Sequence, residues 1–220
     1  RASPLVDTVA LSWRDTLGGL DRVLDAPARA GRGVSALVAV FAGLAFGWWL
    51  YVPIHELLHA FGCLAVGGTV TRLEIALLAR VFPFVVSGSD YAGQLTGFDT
   101  GGSVWVYLVT VVAPFVLTLF PGVWGLRKAV GEAGTDDAQA SGLGAGDWRV
   151  SAARPLAFGA SLPFALAPFL SLPGDAFEAG GIAVTQWIRP VPGLPSDDAI
   201  LWFGGGVAGS SDLLLGLVAL

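Results

Sequence analysis

The sequence predicts an all-α polytopic membrane protein. About four transmembrane helices are expected, with a short β-hairpin or strand after the first and an interfacial helix at the N-terminus. Three observations predict this. Of the 220 residues 54% are hydrophobic and only 13% charged, and the mean hydropathy is +0.70, well above an ordinary soluble domain. Long runs free of charge recur along the chain, each of a length that suits about 30 Å of hydrocarbon. Between them the Lys and Arg residues fall alternately into rich and poor segments, as in a chain that crosses a bilayer repeatedly.

Residues 1–33 form an N-terminal arm. Leu5, Val9, Trp13, Leu17, Leu20 and Leu24 stand at helical spacing, with Arg14, Asp15, Asp21 and Arg22 elsewhere around the wheel. That pattern suits a helix at a membrane interface, or else a soluble arm. Residues 34–220 make the membrane-embedded part. The first span, 34–66, carries no charge except Glu56, and Pro53 within it either kinks the helix or starts a new one. Gly67 and Gly68 end it, and the β-branched stretch Thr69–Leu78 predicts a strand. A Gly/Ser/Asp-rich loop is expected up to Gly102. The second span is 103–126, followed by a Gly- and Ala-rich linker over 129–148, a third span at 155–173 and a fourth at 200–220. Gly43/Gly47 and Gly205/Gly209 are small-residue pairs suited to close helix contact, and most of the eight Trp lie near span ends.

Arg1, Arg14, Arg22, Arg29 and Arg32 precede the first span, and Arg127, Lys128, Arg149 and Arg154 separate the second from the third. The other connections hold only Arg72, Arg80 and Arg189. The N-terminus is therefore expected in the cytoplasm, with the chain a multi-pass protein of the cell membrane if prokaryotic. The net charge of -5 leaves no basic surface for a nucleic acid. The single cysteine, Cys63, excludes a disulfide framework and a zinc site of several thiolates.

Both histidines of the chain lie in one motif, His55-Glu56-Leu57-Leu58-His59. Two imidazoles four residues apart share a helix face and suit one zinc ion, while the Glu after the first can reach a water at the metal and act as general base. Imidazoles and a carboxylate inside an apolar run cost on the order of 2 kcal/mol or more unless a cavity or a metal receives them. The alternative has the histidines satisfied by backbone or water and Glu56 marking an ion path. A catalytic zinc site needs a third protein ligand. Asp175 is the first choice, because it follows a span parallel to the first and lies at similar depth. Glu178 comes next, then Asp99, Asp90 and Glu132. Asp175 serving instead as a helix N-cap is the plain alternative. Cys63 is expected to be an apolar filler, and Asp212 to mark a shifted position of the fourth span.

Taken in order, these features resemble the site-2 protease family of intramembrane zinc metalloproteases over roughly 34–182. The motif followed by Val66-Gly67-Gly68 and the strand looks like the family's first core helix and the β-structure after it. Ala113-Pro114-Phe115-Val116-Leu117 looks like its Gly-Pro motif, and Phe169-Leu170-Ser171-Leu172-Pro173-Gly174-Asp175 with Gly180-Gly181 like its third-helix motif. Leu58 and Ala176 replace the family's usual glycines, and the chain has no Asn. These departures touch the groups around the scissile carbonyl and leave the metal ligands intact.

The resemblance implies an intramembrane zinc metalloendopeptidase. One Zn2+ per chain would be held by His55, His59 and Asp175, with Glu56 as the catalytic base and a membrane-spanning protein as substrate. The strand is expected to pair with an unwound substrate through Val70, Arg72 and Glu74. A catalytically silent protein of the same fold that binds metal or partners is the second expectation, and an ion or metal transporter the third.

Overall fold

The computed structural model describes residues 4–75, 93–136, 148–167 and 175–188, together with 190 and 192. Over these the chain is mostly helical, with one two-stranded sheet. It divides into two units: residues 1–48 with 119–165, and residues 49–118 with 166–220.

Helix α1 (Pro4–Arg29) and helix α2 (Gly33–Ala65) end in the same way. Gly31 and Gly67 adopt positive φ of 73° and 92°. After α1 the amides of Gly31 and Arg32 return to the carbonyls of Ala28 and Pro27; after α2 those of Gly67 and Gly68 return to Leu64 and Cys63. These are Schellman stops, which a residue without a Cβ adopts at least cost. Pro53 lies inside α2 without ending it.

In the first unit the second half of α1 packs on protein around Gly19 and Val23. Val23 is buried with Leu126, Ala129, Phe158 and Ala165, and Gly19 lies against Phe158 and Val130. Helix α4 (Trp124–Asp136) and helix α5 (Trp148–Ala165) supply those partners. The expected linker at 129–148 is therefore helical over 129–136. Burying Ala129 against α1 and α5 outweighs the weak helix propensity of its glycines. The start of α2 packs on α5 with backbones almost touching: a Cβ on Gly43 would fall on the Leu156 carbonyl, and one on Gly159 on that of Val40.

In the second unit strand β1 (Thr69–Ile75) pairs antiparallel with strand β2 (Gly93–Asp99), from Thr69 opposite Asp99 to Ile75 opposite Gly93, with an irregularity around Arg72. The predicted strand thus becomes a hairpin whose second arm lies in the stretch expected to be loop. Residues 76–78 and Asp90 lie outside the described residues. Asp99 accepts the Gly101 amide at 2.8 Å in the turn that follows, and Ser103 caps helix α3 (Val104–Val112). Helix α3 packs Tyr107 and Val111 against Ala179 and Ile182 of helix α6 (Asp175–Ala183).

Two stretches, 33–65 and 104–131, are long and apolar enough to cross a membrane. The second is not one helix. A 3-10 turn covers Ala113–Phe115, and Phe120 leaves helical geometry at φ -139°, ψ 121°. Proline disfavours helical backbone in the residue before it, which places this break at Phe120-Pro121. Four spans are not present among the described residues. The expected third span, 155–173, begins within α5 and continues into residues outside the described ones. The expected fourth span, 200–220, lies outside the described residues.

Candidate metal centre

The motif sits in the last three turns of α2, within the second unit. Helical spacing puts His55 and His59 on one face, and both are buried. Their rings meet edge to face with centroids 4.7 Å apart, and their Nε2 atoms are 3.2 Å apart. Asp175, the first residue of α6, reaches the same point: Oδ2 lies 2.9 Å from His55 Nε2 and Oδ1 3.3 Å from His59 Nε2.

The other ring nitrogens are held. His59 Nδ1 lies 2.7 Å from the Thr110 carbonyl oxygen. A carbonyl only accepts, so Nδ1 carries the proton, which in the neutral ring leaves the lone pair on Nε2. His55 Nδ1 lies 2.9 Å from the hydroxyl of buried Tyr51, one turn earlier on α2. Close helix approach makes the Thr110 contact possible, since a Cβ on Gly62 would come within 2.7 Å of Ala113 Cβ and 3.1 Å of the Val109 oxygen.

The donor set fits a tetrahedral metal. Ligand atoms 2.0–2.1 Å from zinc stand about 3.3 Å apart; here the two Nε2 atoms are 3.2 Å apart, and each has a different oxygen of the Asp175 carboxylate at 2.9 or 3.3 Å. Asp175 Oδ2, shielded from solvent, lacks a hydrogen-bond donor of acceptable geometry although His55 Nε2 is 2.9 Å away. Such an oxygen suits a cation. Burial pushes the Asp175 carboxyl up, but the two imidazoles pull harder and leave it well below the usual carboxylate range, an anion at neutral pH. His55, His59 and Asp175 together could bind a metal ion.

Glu56 lies beside this trio. The Leu95 backbone amide on β2 hydrogen-bonds its carboxylate. Gly93 packs so closely that a Cβ there would come within 2.6 Å of Glu56 Cγ. Sequence reasoning missed both residues, as well as Tyr51 and Thr110. A glycine opening a strand was the signal for Gly93, and a proline one turn later the signal for Thr110.

The alternatives for the third ligand separate. Glu178, one turn beyond Asp175, is not in the trio; burial first, then repulsion from Asp175, push its carboxyl up to about 7. Asp99 is engaged in its turn, and Glu132 is on α4 in the other unit. Asp175 turns both oxygens to the imidazoles. Cys63 Sγ is buried 3.7 Å from the Thr69 carbonyl oxygen, outside the trio. Val70 and Arg72 lie on β1, half-buried and exposed respectively, and Glu74 is on the same strand opposite Gln94.

No family model matches this chain, and no curated protein or solved structure matches it.

Proposed function

We propose that this protein is a membrane-embedded zinc metalloendopeptidase of the site-2 protease type, cleaving peptide bonds of membrane-spanning proteins. One observation carries the reading: two imidazole nitrogens 3.2 Å apart and a carboxylate with an oxygen within 3.3 Å of each converge beside Glu56, a carboxylate that metal binding does not require. Zinc, when bound, supplies Lewis-acid polarisation of a carbonyl and makes water acidic near neutral pH. The chain's own residues do the rest. Glu56 takes the proton of the attacking water on its carboxylate and returns it to the leaving amine. Thr110 and Tyr51 hold the two rings in orientation.

The membrane setting is part of the proposal. Leu37, Phe41, Phe46, Leu57, Phe61 and Leu64 of α2 are exposed, a surface that suits lipid better than water. His59 lies six residues before the end of α2, about 9 Å of helix rise inside. We assign a multi-pass arrangement with a cytoplasmic N-terminus from the alternation of Lys and Arg. A helical substrate hides its carbonyls and must be extended before cleavage. The edge of β1 around Val70, Arg72 and Glu74 is the surface offered to it.

The test measures zinc per chain and cleavage of a peptide with one apolar membrane-spanning segment, in detergent. Glu56→Gln should keep zinc and lose cleavage by about 100-fold or more. Asp175→Ala should lose both, and Thr71→Pro should keep zinc and cleave more slowly. Wild-type protein that binds no zinc would overturn the reading. Zinc binding without cleavage would leave a silent metal-binding protein of the same fold.

A further inference from the structure

Segment 104–131 contributes no side chain to the trio, yet it holds one of the ligands through its backbone. In an α-helix the carbonyl of Thr110 would accept the amide of residue 114. That residue is Pro114, which has no amide hydrogen, so the bond cannot form. The helix tightens into a 3-10 turn over Ala113–Phe115 at this point. Thr110's oxygen instead receives His59 Nδ1 at 2.7 Å, a buried contact between residues 51 positions apart. Pro114 is itself fully buried, and Gly62 opens the approach of α2 to this stretch.

We infer that Pro114 is a positioning residue of the metal centre, acting by withholding a backbone N–H so that the Thr110 carbonyl is free to orient His59. An amide at 114 would occupy one lone pair of that carbonyl and draw it back along the helix axis. His59 would then lose the acceptor that keeps its proton on Nδ1 and its lone pair on Nε2. The inference rests on the metal-binding part of the proposed function and not on peptidase activity.

The experiment compares three chains: wild type, Pro114→Ala, and a chain carrying at 114 the α-hydroxy analogue of alanine. The last has alanine's side chain but a backbone ester without N–H. Zinc affinity is read by competition with a chelator, and the proton shift of His59 Nδ1–H by NMR in detergent. Pro114→Ala should weaken zinc about 10- to 100-fold and move the His59 signal towards that of a ring without a carbonyl acceptor. The ester should restore both. If alanine behaves as wild type, or if the ester is as weak as alanine, the inference is overturned. If no chain takes zinc but the His59 signal follows alanine and ester as stated, the zinc reading fails while the role of Pro114 stands.

Discussion

The carboxylate of Glu56 owes its place to a residue without a side chain. A methyl group on Gly93 would press to 2.6 Å on Glu56 Cγ and to 3.3 Å on Val52 Cγ1, so β2 and α2 can approach this closely only with glycine there. A displacement of the order of 1 Å at a catalytic group costs about 100-fold in rate. We therefore predict that Gly93→Ala retains zinc, because His55, His59 and Asp175 are untouched, and lowers kcat about 100-fold with little change in KM. Steady-state kinetics with metal analysis on the same sample checks it.

Glu178 gives a prediction in pH. Its carboxyl stands at about 7 in the folded chain against an ordinary 4.5. The folded state thus binds this proton more tightly than the unfolded state. The resulting stabilisation is complete below pH 4.5, declines as pH rises through about 7, and is absent above. Glu178→Gln should remove that slope, leaving the metal-free variant more thermostable than wild type at pH 8 and no more stable at pH 4. Melting curves of chelator-treated protein at the two pH values decide it.

At the scale of elements, much of the architecture follows from punctuation visible in the chain. Glycines at 31 and 67 stop the first two helices because a residue without a Cβ adopts positive φ without strain. Pro121 breaks the second apolar run because proline pushes Phe120 out of helical geometry. Strand β2 was less legible. Gly93–Asp99 contains two glycines and an aspartate, a composition poor in strand formers, and only pairing with β1 makes it a strand. The packing of α2 on α5 depends on Gly43, Gly47 and Gly159, whose positions face backbone atoms rather than side chains. Backbone cannot move aside as a flexible side chain can, so Gly159→Val should cost about 3 kcal/mol or more. A markedly lower melting temperature, with zinc content per folded chain unchanged, is the expected result.

For the molecule as a whole, composition and periodicity carried the reading as far as a helical protein with apolar stretches long enough to cross a membrane. The His-Glu-x-x-His motif marked two imidazoles that could share a metal ion and a carboxylate beside them, because a helix's period alone puts residues four apart on one face. What the sequence by itself determined is thus local: helix ends, breaks, and the chemistry of one helix face. Only tertiary structure decided that Asp175, more than a hundred residues later in the chain, supplies the third group, and that Thr110, Tyr51, Gly93 and Leu95 hold the others. The physical reason is that the Thr110 and Leu95 contacts are made by backbone atoms, and those of Asp175 and Gly93 by close approach between distant elements. A carbonyl or an amide has no residue type of its own to announce it, and becomes legible only when packing brings it to the site.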